Sequence, residues 1–263
     1  MNKLCLWSDS ALYIGDSMDP ILHKHHAIQL CISLSGKFLL GSDNQINPIQ
    51  CKAAIIGANT PHYISNNNGI ICILYLEKAS NDYKWILDSH CNQVNCEIKK
   101  KPIPINKTFN PEKERIFLQL CNSKLTPKAA NEIKQLFLNY FSEHISTPSL
   151  IDPRITNLIT YIQKNPEDSY KGVDLARKIF LSESRMQHLF KQQIGIPIRK
   201  YLLWNKIRSV LILSMKGETL TQAAHQSGFS DSAHFSRTFK SMFGISPSTL
   251  LSNTSELQTY FYQ

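Results

Sequence analysis

Three things are scarce in this sequence: long apolar runs, cysteine in its second half, and acidic residues to balance the basic ones. The longest apolar run, residues 70–76, falls far short of the roughly 18 residues that a membrane-spanning helix needs. The first ten residues carry Asp9 and no long apolar stretch, so neither a membrane span nor a signal peptide is expected. Cysteines number 7, all before residue 122, and none stands in a C-x-x-C pair. An odd count without that spacing argues against a disulfide framework or a zinc ribbon and fits a reducing cytoplasm. Cys91 and Cys96 suggest a redox pair, yet only lysines 99–101 nearby would depress a thiol, so idle thiols are the expectation.

What is present points to two domains. The 263 residues are 42% hydrophobic, enough for two ordinary cores. The formal net charge of +9 is uneven: 14 Lys and Arg face 7 Asp and Glu from residue 153 onward, against 15 and 13 before it. A basic second half joined to a nearly neutral first half calls for a polyanion partner, nucleic acid or an anionic membrane surface.

Residues 12–76 read as short β-type runs (28–34, 37–40, 53–56 and 70–76) separated by Gly, Asn, Asp and Pro, the pattern of a small barrel or sandwich. Between 111 and 145 the apolar residues recur at helical spacing. Ile116 and Leu120, then Ile133, Leu136, Phe137, Tyr140 and Phe141, broken at Thr126-Pro127, predict a helical hairpin. The stripe Leu136, Phe137, Tyr140 and Phe141 is wider than one short helix needs to cover its own barrel, so the hairpin is expected to pair two copies of the chain. Residues 146–153, with two prolines and no periodicity, read as a linker between a domain 1–145 and an all-helical domain 154–263.

The second domain holds an internal repeat. Phe190-Lys191, three residues, then Gly195 recurs as Phe239-Lys240, three residues, then Gly244. A short helix and a sharp break precede each copy, at Phe180-Leu181-Ser182 and at Gly228-Phe229-Ser230, and Thr219 with Gln222 has the form of a capping box. Two units of helix, tight turn, helix follow. One face of each later helix is apolar: Met186, Leu189, Phe190 and Ile194, then Phe235, Phe239, Met242 and Phe243. The opposite faces present Ser184, Gln187, His188 and Lys191, and Ala233, Ser236, Arg237 and Lys240, with Arg185 and His234 on the flanks. A single polar face is ordinarily just solvated. Its duplication amid concentrated basic charge favours a pair of helices reading DNA through the major groove.

These residues resemble the AraC/XylS family of bacterial transcription regulators. The likeness covers about 155–251 and rests on Leu175-Ala176, Ser182, Leu189-Phe190-Lys191, Gly195 and Tyr201 in the first unit. In the second it rests on Ala223-Ala224, Gly228-Phe229-Ser230, His234-Phe235-Ser236-Arg237-Thr238-Phe239-Lys240, Gly244 and Ser246-Pro247. It implies two helix-turn-helix units joined by a long helix over about 198–215, with recognition helices set one DNA turn, about 34 Å, apart. It also implies base contacts from Ser184, Arg185, Gln187, His188, Ser232, His234, Ser236 and Arg237, and phosphate contacts from Lys191 and Lys240. The arginine that many members carry just after the final proline is absent from Ser248-Thr249-Leu250-Leu251.

The front half resembles the small cupin barrel that such regulators carry as a sensor. His23-Lys24-His25, Gln29 and Gly36 follow one cupin motif, with Gln where metal-binding cupins place Glu, and 57–62 is similar to the second. No cofactor is expected. A divalent metal would fall to His23, His25 (or His26), Gln29 and His62, and the missing carboxylate weighs against it. Otherwise His25 and His62 would stand at the mouth of a ligand pocket.

The expected architecture is therefore α+β in two domains: a small cupin-like β-barrel with a helical hairpin, then the all-α domain. The expected function is a cytoplasmic, sequence-specific transcription regulator, not an enzyme, that responds to a small ligand. Its expected partners are double-stranded DNA, RNA polymerase and a second copy of the chain, with no membrane. The alternative is a cupin-type metal-dependent enzyme with an accessory DNA-binding tail, which would need stronger ligands than Gln29.

Overall fold

The computed structural model describes residues 2–7, 9–16, 21–25, 27–43, 47–65, 69–78, 80–83, 86, 101–105, 109–142, 151–165, 170–243, 246–248 and 254–259. The chain forms two compact units, Met1–Pro148 with Phe239–Gln263, and Ser149–Thr238. Most of the expected linker lies outside the described residues, as do Cys91, Cys96 and His26.

In the first unit β1 (Asn2–Leu6), β2 (Ser10–Gly15), β3 (Ile28–Ser33), β6 (Ala53–Ile56), β8 (Ile71–Leu76) and β9 (Ile103–Ile105) share one sheet with β10 (Thr254–Thr259). Their order is β10-β1-β2-β8-β3-β6-β9. A second sheet is made of β4 (Phe38–Gly41), β5 (Ile49–Cys51) and β7 (Tyr63–Ser65), in the order β5-β4-β7. All four runs expected to be strands are present. Among the described residues the strands make two sheets and not one closed barrel, because β4 pairs with β5 and β7 alone. The strand β10 is a further difference: a segment assigned by pattern to an all-helical tail lies parallel to β1.

Alternation along the strands assigns the two faces of the large sheet. Leu12 and Ile14, Ile28, Leu30 and Ile32, Ala53 and Ile55, and Cys72, Leu74 and Leu76 form one face. They pack with Phe117 and Cys121 of α1 (Pro111–Asn122) and with Ile133, Phe137, Tyr140 and Phe141 of α2 (Pro127–Phe141). Gln29, Cys31, Ile73 and Tyr75 take the other face, and Gln29 lies directly across from Tyr75.

The hairpin is thus where the sequence puts it, with each helix opening on a polar cap followed by proline at its first position. Asn110 accepts from the amides of Glu112 and Lys113, and Thr126 from that of Ala129. The argument from its apolar stripe needs correcting. Phe137, Tyr140 and Phe141 are spent on the unit's own core, and Leu136 is left half-buried. It lines a shallow outer groove of about 400 Å³ with Ile116 and Leu120.

The second unit contains α3 (Pro153–Lys164), α4 (Gly172–Lys178), α5 (Glu183–Ile194), α6 (Ile198–Met215), α7 (Leu220–Gln226) and the start of α8 (Ser232–Phe243). Helix α6 is buried almost all round, by Tyr201, Trp204, Ile207, Val210 and Leu211 but also by Asn205, Arg208 and Ser209. A helix without a solvent stripe is a central one. Asn205 donates to the Ile162 carbonyl at 3.4 Å, and the Tyr201 hydroxyl accepts from Gln163 at 3.2 Å, which ties α3 to it.

One buried cation joins strand to hairpin in the first unit. Lys3, 2% exposed, donates to the carbonyls of Cys121 at 3.0 Å and of Ser123, where α1 runs out of partners of its own. Lys3→Met keeps the stem and strands both acceptors. It should lower stability by about 1–3 kcal/mol, read as a fall in the urea midpoint of the first unit; an unchanged midpoint would contradict this role.

Candidate functional site

The two helix-turn-helix breaks close in the same way. After α4 the amides of Phe180 and Leu181 donate to Arg177 and Ala176; after α7 those of Gly228 and Phe229 donate to His225 and Ala224. The residue that reverses the chain is left-handed in both, Phe180 at φ 56° and Gly228 at φ 78°. The second turn is one residue longer, because Ser230 and Asp231 both precede α8 whereas Ser182 alone separates Leu181 from α5. The caps differ accordingly. The Ser182 hydroxyl accepts from the Arg185 amide at 3.3 Å, and Asp231 accepts from the His234 amide at 2.6 Å. That amide, with the Ser230 hydroxyl, holds the Asp231 carboxyl below its usual range. The capping box at Thr219 and Gln222 is formed in both directions.

Burial then sorts each later helix into two sides. Met186, Leu189, Phe190 and Ile194 are buried on α5, and Phe235 and Phe239 on α8. Ser184, Arg185, Gln187, His188 and Lys191 are exposed, as are Ala233, His234, Arg237 and Lys240; Ser232 and Ser236 are half-buried. Gln187 donates to Glu183 at 3.0 Å, and His234 is held by the Ser230 hydroxyl at 3.3 Å with its ring edge-on to Phe229. Ser184, Gln187, His188 and Lys191 line one cleft of about 530 Å³ together with Pro197, Ile198 and Arg199. Sequence reasoning missed Arg199. The signal was there, since Gly195 at φ 85° and Pro197 turn the chain straight back and set the first basic residues of α6 beside α5.

The first unit holds a second cluster, of histidines. His23 and His62 form an antiparallel bridge, each amide donating to the other's carbonyl at 2.9 Å, and the Asn59 amide reaches the His25 carbonyl. His23, His25 and His62 are 6%, 5% and 0% exposed, so His25 and His62 are interior residues and do not stand at a pocket mouth. One ring nitrogen of each can meet those of the others within 4.8 Å. Gln29, fully buried, turns its side-chain oxygen to His25 at 2.6 Å and His62 at 3.0 Å. Burial, the leading cause, lowers all three imidazoles: His25 to about 4, His62 well below its ordinary value, and His23 in the same direction. The rings are therefore neutral at pH 7, with lone pairs free to face one another.

Comparison with known proteins bears on the helical region first. Residues 175–253 match the model of a family described as a helix-turn-helix domain. Over 128 residues the chain is 33% identical to the arabinose operon regulatory protein of Salmonella typhimurium, a match that covers 46% of this chain and 44% of that one. The matched segment thus spans less than half the length of that relative. The helical region is similar to that of arabinose operon regulators. Along 86% of its length the chain is also 24% identical to the probable transcriptional regulator LumQ of Photobacterium leiognathi, covering 89% of that protein. The fold is that of ToxT from Vibrio cholerae in its unsaturated fatty acid-bound structure, with a TM-score of 0.56 at 15% identity over 94% of this chain and 95% of that one.

Within this helix-turn-helix region one turn residue is conspicuous. Phe180 is 95% exposed and left-handed, a conformation that costs an L-residue about 1–2 kcal/mol, with no packing to offset it. Phe180→Gly should raise stability by about 0.5–1 kcal/mol once glycine's larger unfolded-state entropy is subtracted. Gly228→Ala, at the matching position, should lower it by about 1 kcal/mol. Urea unfolding of the two variants checks the pair, and shifts of the same sign would contradict it.

Proposed function

We propose that the protein is a sequence-specific DNA-binding transcription regulator whose first unit responds to a small ligand. The observation that carries the reading is the duplicated helix-turn-helix, with two polar faces left exposed once the apolar sides of α5 and α8 are buried. In this reading Ser184, Arg185, Gln187, His188, Ser232, His234, Ser236 and Arg237 meet base edges, while Lys191, Lys240 and Arg199 take phosphates. Helix α6 is the spacer that sets the recognition helices about one turn of DNA, roughly 34 Å, apart. The ligand arm is supported by the fold shared with ToxT, a protein seen with a fatty acid bound. The reading includes RNA polymerase as a partner and the cytoplasm as the compartment. Among the described residues no helix is long and apolar enough to cross a membrane.

DNA selected from a random pool by the full chain should give a discrete gel shift, weakening steeply with salt as counterions are released. No shift at low salt would overturn the reading. Arg237→Ala should relax preference at one base pair and cost about 1–3 kcal/mol there, whereas Lys240→Ala and Arg199→Ala should weaken all sequences alike. A uniform loss from all three would contradict this division of roles.

Pairing of two copies belongs to the same proposal, now through the outer groove of the hairpin, Ile116, Leu120 and Leu136. Two linked half-sites bind more tightly than either alone through raised effective concentration. Sedimentation of the full chain at tens of micromolar should show a dimer that Leu136→Glu dissociates. A monomeric wild type would contradict this contact.

A further inference from the structure

Two thiols meet inside the first unit on the hairpin side of the large sheet, the side away from Gln29 and Tyr75. Cys72 lies on β8 and Cys121 in the last turn of α1; they are 0% and 2% exposed, and their Sγ atoms stand 4.0 Å apart. A thiol is a weak donor and a weak acceptor, so this contact gives each sulfur little. The surroundings are apolar. Ile14 and Ile32 flank Cys72 across the sheet, and Phe117, also buried, stands one turn back from Cys121 on α1.

Beside the pair lies a buried charge. Lys3 is across from Ile14 and Ile14 across from Cys72, so the three share one row and one face of the sheet. The Lys3 ammonium donates to the carbonyl of Cys121 itself at 3.0 Å and to that of Ser123. Both acceptors are neutral, and among the described residues no carboxylate pairs with this lysine. A buried cation held by dipoles alone is costly, and a negative charge placed next to it would lower that cost. Two protonated thiols supply none.

We propose that Cys72 and Cys121 together bind one copper(I) ion as a two-coordinate bis-thiolate. Two thiols and one copper(I) ion give a complex with one negative charge and two protons, which pass to solvent; no oxidation state changes. Lys3 then supplies the matching positive charge from the adjoining strand. Soft thiolate ligands select copper(I), and the number of donors decides against zinc, whose structural sites take four. Among the described residues the one cluster of three or more metal-binding side chains is that of the histidines, so no third donor joins the two cysteines. With metal–thiolate bonds of about 2.3 Å, an ion in line between the sulfurs needs them roughly 4.6 Å apart, a little wider than the 4.0 Å at which they stand. The ion ties α1 to β8. Because α1 also carries Ile116 and Leu120 of the outer groove, a filled site stiffens the hairpin through which pairing is proposed above, although the site itself does not rest on that reading.

The test is an anaerobic titration of the reduced, metal-free full chain with copper(I) against a chromophoric copper(I) chelator. The protein should withhold one equivalent, and X-ray absorption should show that copper with two sulfur neighbours and no nitrogen. Cys72→Ala and Cys121→Ala should each weaken binding by more than roughly 100-fold, and Lys3→Met by roughly 10–100-fold, the range of an outer-shell change. The double variant Cys91→Ala, Cys96→Ala should hold the ion as the wild type does. Circular dichroism reads the fold of every variant, and the absorption spectrum of the wild type decides the donors even where a variant unfolds. A wild type that yields all its copper to the chelator, or copper bound through nitrogen, would overturn the proposal. So would an ion that is kept by folded Cys72→Ala and lost from the double variant. A failed gel shift would bear on the regulator reading and leave this result as it stands.

Discussion

Helices α5 and α8 each have one apolar side, and burying it settles what the other side can offer. On α5, Met186, Leu189, Phe190 and Ile194 are buried in the second unit. Residues one face apart on a helix cannot share that fate, so Ser184, Gln187, His188 and Lys191 are left outside together. On α8 the burial of Phe235 and Phe239 leaves Arg237 and Lys240 exposed in the same way. The exposed donors are a consequence of packing before they are a device for recognition. Within the second unit, removing the buried aromatics would therefore disturb any interface built on these faces by rotating or loosening the helix, without touching a polar contact.

The first unit runs on the same logic with period two. Ile28, Leu30 and Ile32 face the hairpin helices, so Gln29 must face the other way, where β8 sets Tyr75 across from it. The ring of His25 lies edge-on to Tyr75 with centroids 5.3 Å apart, and His62 approaches from the segment that leads into β7. A polar cluster buried this way is tolerable only if its members satisfy one another. The three Nδ1 atoms each meet a main-chain carbonyl, and among the described residues the Nε2 of His23 has no hydrogen-bond partner. The exposed face of α5 lies in the second unit and the histidine cluster in the first, each organised by the face its neighbours bury.

Local signals in the sequence carried a large part of this. The repeat of Phe-Lys and Gly at fixed spacing falls in the second helix of each helix, turn, helix pair, and Thr219 with Gln222 located a cap that is formed. A helix spans Ile198–Met215, where the family resemblance implied one over about 198–215. What escaped depended on distant partners. The opening strand β1 carries Asn2 and Lys3, which look like surface residues; both are buried because the hydroxyl of Tyr13 and the end of α1 receive them. Strand β10 has no local signature at all, since what pairs with it is the opposite end of the chain. The aromatic stripe of α2 was visible, but nothing in its spacing told an outward face from an inward one. The histidines were visible too, whereas their burial and the tautomers imposed by Ile21, Ala27 and Thr60 depend on the folded main chain.

The central claim is that one chain lays two helices into successive major grooves on one face of DNA. Hydroxyl-radical footprinting of the full chain on a selected binding sequence tests it most directly. The account predicts two patches of backbone protection on the same face, centred one helical turn or about 10–10.5 base pairs apart, for each copy of the chain bound. A single patch per copy, or patches on opposite faces of the duplex, would contradict it.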